Sequence, residues 1–239
     1  MSIRHLLFTL ALLHGVAHAA KPEIVFIAPT NHTMPLAEFV GDKLQRGILK
    51  DLGEAIAERL GLHARFLALP SKRVSAALRA GDADGVCYVL PNWIEGEFNW
   101  SQPVIPNSGI IATRLDTPSI GSIQALSDLT IGTVLGYQYP QFDPVLGSHF
   151  KREDAPTMES NLQKLAMGRM DYAIVEQNTL DYHNSRVPQH RLKQALVFAS
   201  FKAQCAFSQK STVPFADIKL AIDALLLDKS IEKILARYR

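Results

Sequence analysis

Cysteine is nearly absent: 239 residues contain two, Cys87 and Cys205. That excludes a disulfide-dense scaffold. With no cysteine near another, it also excludes a zinc site of paired thiolates. In an oxidising compartment the two either pair or remain inert buried thiols. Beyond the first 20 residues, His32, His63, His149, His183 and His190 show no close metal-ligand spacing. There is no G-x-S-x-G elbow and no G-x-x-x-x-G-K phosphate loop. The formal charge is only +2, and no basic run is long enough for nucleic acid. No apolar stretch reaches the ~18 residues of a transmembrane helix. The expectation is a chain with no metal, no cofactor and no nucleic-acid partner.

What is present begins with a leader. MSIRHLLFTLALLHGVAHAAK has a basic start at Arg4 and His5, a short apolar run from Leu6 to Leu13, and a small-x-small site at Ala17-His18-Ala19. This reads as a signal peptide over residues 1–19 and predicts a periplasmic protein. About 220 residues follow, enough for one large domain or two small lobes.

Apolar β-rich runs then alternate with amphipathic ones. EIVFIA (23–28) predicts a buried strand. In 47–60 Ile48, Leu52, Ile56 and Leu60 fall on one face, so a helix is expected, with Gly61 as its stop. A strand over 64–69, a helix over 71–80 with Ser71 as N-cap, and a strand over 85–90 complete a βαβαβ pattern, the mark of an α/β fold with a largely parallel sheet. Further strands are expected at 109–113, 130–134, 172–175, 195–198 and 203–208. Helices are expected at 160–167 and from Pro214 to the end. LRAGDADGVCYV (78–89) and LAMGRMDYAIVE (165–176) share L-x-x-G-x-x-D before an apolar strand, with glycines 87 residues apart. Two α/β lobes of similar design follow from that match.

Ligands of open α/β sheets bind beyond the carboxyl ends of strands. Those ends carry Asn31, then Lys72 and Arg73, then Asn92 and Trp93, then Gly136 and Tyr137, then Glu176. Lys72 and Arg73 oppose the dipole of the helix they begin, so Arg73 is a candidate for an anion. The turn Gly132-x-x-x-Gly136 is a candidate for presenting backbone N–H groups. Trp93 and Tyr137 offer flat apolar faces that attract cations.

The order of several pieces resembles the periplasmic solute-binding proteins of the amino-acid type, family 3. They are GILKDLGEAIAERLG (47–61), PSKR (70–73), LRAGDADG (78–85), WSQP (100–103), DLTIG (128–132) and LAMGRMDYA (165–173). The resemblance implies the type II periplasmic binding protein fold: two α/β lobes, a central cleft and two crossing strands. Lobe 1 would comprise 20–107 and 200–239, and lobe 2 would comprise 108–199. It places the strands of Cys87 and Cys205 side by side, so a bridge between them is implied. Family members usually hold the ligand carboxylate with an arginine shortly before the aromatic of their F-S-x-P motif, here Trp100. PNWIEGEFNWSQP (91–103) contains Glu95 there and no basic residue. Glu176 approximately matches the family's acid for a ligand amino group. The implied role is capture of an amine-bearing small molecule by a monomer that serves an inner-membrane ABC permease, without catalysis. The alternatives are a cyclohexadienyl-dehydratase-like enzyme and a ligand-sensing subunit of a membrane receptor.

Overall fold

In a computed structural model, which describes residues 22–238, the chain forms eleven strands and seven α-helices. The expected leader lies outside the described residues. Strand β1 (Glu23–Pro29) leads through a small hairpin, β2 (Glu38–Val40) and β3 (Lys43–Arg46), to α1 (Ile48–Arg59). Then follow β4 (His63–Leu69), α2 (Val74–Ala80) and β5 (Gly85–Val89). A short β6 (Asn99–Trp100) precedes the long β7 (Ile105–Arg114). After it come β8 (Thr130–Val134), α3 (Asp143–Leu146), β9 (Lys151–Ala155), α4 (Met158–Ala166), β10 (Tyr172–Glu176) and α5 (Gln177–Arg186). The chain returns through the 16-residue β11 (Leu192–Phe207) and ends in α6 (Phe215–Leu227) and α7 (Ser230–Ala236).

The main sheet runs β4-β1-β5-β11-β7-β10-β8-β9, with β6 on β11. The pairs β1/β4, β1/β5, β8/β10 and β8/β9 are parallel, as the βαβ pattern requires. The two long strands β7 and β11 pair antiparallel along nearly their whole length. They alone belong to both halves, so they are the crossing strands. The expected boundaries at 107/108 and 199/200 fall within them, where Ser108 faces Ser200.

Each half is covered on both sheet faces. In the first, the apolar stripe of α1 (Ile48, Leu52, Ile56) meets Ile218 and Ile222 of α6 and Ile231 and Ile234 of α7. Val74, Ala77 and Leu78 of α2 cover the other face. In the second, Leu162 and Leu165 of α4 and Leu180 of α5 cover one face, and Phe142 with Leu146 of α3 the other. Gly81 (φ 84) and Gly168 (φ 68) both take the left-handed conformation before the matched aspartates, so the two repeated stretches are built alike.

Local expectations shift at several edges. Ser71 is not an N-cap: Ser71–Arg73 forms a 3₁₀ turn, and α2 starts at Val74 with no side-chain cap. The N-cap of α4 is Thr157, whose hydroxyl accepts from the Ser160 N–H at 3.2 Å. The strands expected at 195–198 and 203–208 are one strand. Bulges at Gln194/Leu196 and Val197/Ala199 interrupt its alternation and hide its continuity. Among the described residues no helix is long and apolar enough to cross a membrane.

Candidate functional site

The two halves meet at a carboxylate. Glu176 is the last residue of β10 and the N-cap of α5, with extended backbone (φ −106, ψ 146). Its side chain is too long for the short-range cap that Ser or Asp makes, and it caps nothing. It reaches across to the first lobe, where the Tyr88 hydroxyl donates to Oε2 at 2.6 Å. The Asn107 amide donates to the same Oε2 at 3.2 Å and to the Tyr88 hydroxyl at 2.5 Å. Asn107 lies on the crossing strand β7, and its own Oδ1 accepts from the Ser108 and Asn178 N–H groups. One node therefore joins first lobe, crossing strand and second lobe. Glu176 is 7% exposed, and its Oε1 receives no hydrogen bond among the described residues.

Tyr88 reaches this node because of a β-bulge. Val89 pairs with Gln204 and Cys87 pairs with Cys205, so Tyr88 has no residue opposite it. It carries the left-handed φ of 66, which an aromatic residue adopts at a cost of order 1–3 kcal/mol. Regular alternation would turn Tyr88 to the face opposite Cys87. Instead Cys87 and Tyr88 both join the core beneath α1, while Val86 and Val89 face α2. Cys87 and Cys205, directly opposed beside the bulge, form a disulfide.

Aromatic rings enclose the node. The His32 ring meets Tyr88 edge-on at 5.6 Å and Tyr137 at 6.5 Å, with His32 Nδ1 3.3 Å from the Tyr137 hydroxyl. Trp93 lies 6.2 Å from Tyr88 and 5.2 Å from Phe201. Burial governs the charges here. It pushes the Glu176 carboxyl up to about 7, against the Tyr88 hydrogen bond, which pulls it down. It holds His32 down at about 4, so the imidazole is neutral at pH 7. It raises both Tyr88 and Tyr137, with the Glu176 charge adding to the effect, so both phenols keep their protons.

Asn31 makes a second crossing. Its Oδ1 accepts from the Ser71 N–H at 3.0 Å, and its amide donates to the carbonyls of Leu135 and Pro156 at 3.2 and 3.4 Å. Gly136 (φ 88) lets the Lys72 stem approach, since a Cβ there would lie 3.2 Å from two Lys72 carbons. The N–H groups of Leu135 and Tyr137 are bonded to the carbonyls of Ala155 and Val134. Arg73 and Asn92 are exposed, and neither side chain makes a hydrogen bond or ion pair among the described residues. The structure thus brings together Glu176, Trp93, Tyr137, Gly136, Asn31 and Lys72, and adds His32, Tyr88 and Asn107. Tyr88 had one sequence signal: it is the single large polar side chain in the strand GVCYV. Asn107 had no signal of its own as a residue, although the expected lobe boundary at 107/108 falls beside it.

Two crevices flank the node. One, of about 670 Å³, runs along the crossing strands past Asn107, Asn178, Ser200 and Phe201. The other, of about 440 Å³, lies between the segment around His32 and the helices carrying Glu159, Tyr182 and Arg186.

No protein-family model and no curated protein matches the chain. Solved structures do. An ancestral arginine-binding protein bound to arginine superposes with a TM-score of 0.77 at 20% identity, over 92% of this chain and 99% of that one. A histidine kinase sensor domain with similarity to periplasmic binding proteins superposes at 0.76 and 19%, over 90% and 95%. An ancestral amino acid-binding protein, a precursor of cyclohexadienyl dehydratase, superposes at 0.74 and 16%, over 90% and 95%. The chain has the two-lobe fold of the periplasmic solute-binding proteins.

Proposed function

We propose that the protein binds a small, amine-bearing, amino-acid-like solute between its lobes, with Glu176 as the partner of the ligand's ammonium group. The observation that carries this reading is the asymmetry of the Glu176 carboxylate. Tyr88 and Asn107 both donate to Oε2, while Oε1 has no donor among the described residues. A buried carboxylate with one open oxygen is electrostatically incomplete, and a cationic donor completes it. Trp93, Tyr137 and neutral His32 supply the walls, whose ring faces attract a cation. Asn31 and Lys72 with Gly136 hold the lobes together beside it. Lobe 1 (20–107 and 200–239) closes on lobe 2 (108–199) about β7 and β11, and the solute passes to an inner-membrane ABC permease from a periplasmic monomer. The test is a thermal-shift screen of amines, amino acids and small carboxylates, followed by calorimetry on Glu176→Gln. Loss of a charge-assisted bond predicts ~1.5–3 kcal/mol, roughly ten- to over a hundredfold weaker binding. Unchanged affinity removes the proposal.

A second reading has its own observation. A carboxyl held up at about 7 beside a phenol is a serviceable proton donor at neutral pH, as a dehydratase of this fold requires. Against it stands the missing arginine, since such a substrate needs a carboxylate anchor. Aromatic product from prephenate or arogenate would decide for the enzyme. The likeness to a sensor domain supports a receptor role equally well with the same ligand site.

A further inference from the structure

We infer that the ligand is an amine that carries no carboxylate, a conclusion that rests on Glu176 being the amine's partner. Charge matching among the groups that face the node decides the ligand's class. From the first lobe these are Asn31, His32, Lys72, Tyr88 and Trp93; from the crossing strands, Asn107 and Phe201; from the second lobe, Tyr137 and Glu176. Among the described residues Glu176 is the one buried acid, and the buried His183 of α5 is turned to Glu159, its Nδ1 3.1 Å from that carboxylate.

Each of the nearby cations is exposed. Lys72 is exposed, with its stem on Gly136 and its charge acting on Asp154. Arg152 is 2.7 Å from Asp154 and stacks on Tyr139 at 4.9 Å. Arg73 follows Lys72 in the 3₁₀ turn and so points about 120° away from it. Lys202 is exposed and lines the crevice along the crossing strands with Pro106 and Ser200, one residue after Phe201, whose ring meets Trp93. Arg186 ends α5, about 15 Å from Glu176 along the helix.

A monoamine neutralises Glu176 and leaves the closed cleft uncharged. A zwitterionic amino acid neutralises it too, then adds its own carboxylate to a wall of rings and amides. That charge is desolvated with only an exposed lysine to answer it, and exposed pairs contribute little.

Calorimetry on matched pairs reads this directly: tyramine and tyrosine, histamine and histidine, agmatine and arginine, isoamylamine and leucine. In whichever pair binds, the decarboxylated amine is expected to bind at least tenfold more tightly, and Glu176→Gln to weaken it. An amino acid that binds as tightly as its amine overturns the inference while leaving Glu176 as the amine partner. If that amino acid also loses its advantage in Lys72→Ala, Lys72 is the clamp. Binding of small carboxylates with no binding by any amine overturns both this inference and the role given to Glu176.

Discussion

At the scale of single residues, the account turns on Glu176 and His32, whose burial shifts act in opposite directions. The Glu176 carboxyl rises from 4.5 to about 7. Its contribution to stability is therefore fully present below about 4.5 and is lost as pH rises through about 7, on the order of 3 kcal/mol. His32 falls from 6.5 to about 4, so its contribution is present above 6.5 and is lost as pH falls through about 4. The two partly cancel in the wild type. Denaturant unfolding of Glu176→Gln isolates the first, and without ligand this variant should be more stable than wild type at pH 8 but not at pH 4. Ligand affinity runs the other way. An ammonium needs the ionised carboxylate, so affinity should fall by up to about tenfold per pH unit below 7 and level off above it. The place of Glu176 was legible in the sequence because a carboxylate ending an apolar strand is conspicuous. His32 was visible only as one residue of a strand end, since its neutrality comes from rings contributed by remote segments.

At the scale of elements, β5 carries the decisive irregularity. A bulge with φ 66 at Tyr88 puts Cys87 and Tyr88 on the same face, one bonded to β11 and the other to the opposite lobe. Tyr88→Phe keeps the ring and removes the donor. Calorimetry should show several-fold weaker amine binding together with a further rise of the Glu176 titration. Replacing both cysteines by alanine should lower stability by ~2–5 kcal/mol in denaturant unfolding, since the bridge closes a loop of 118 residues in sequence. Periodicity located α1, β1, β4, β5, β8 and β10 because their apolar patterns are regular. It missed α5, whose sequence QNTLDYHNSR buries only Thr179, Leu180 and His183 and so has little apolar stripe. It also split β11, because bulges break the two-residue period on which strand reading depends.

At the scale of the whole molecule, two lobes share two continuous strands, and among the described residues they meet at the crossings of Glu176, Asn31 and His32 and at the Lys72 stem on Gly136. The proposed binding role requires this contact to open for the ligand and to re-form in one register. The lobes and their order were legible because the L-x-x-G-x-x-D stretch occurs twice, at the same place in two similar units. The cleft chemistry was only half legible, because Asn107 and Lys72 acquire meaning from the crossing of β7 and the approach of Gly136. The central claim is that a ligand ammonium completes the Glu176 carboxylate. Carbon-13 NMR of the Glu176 carboxyl, titrated with and without a bound amine, tests it most directly. The account predicts a midpoint near 7 in the free protein, lowered by a unit or more at saturation, since one unit corresponds to about 1.4 kcal/mol of preference for the charged form. A midpoint that stays in place under a saturating amine would contradict it.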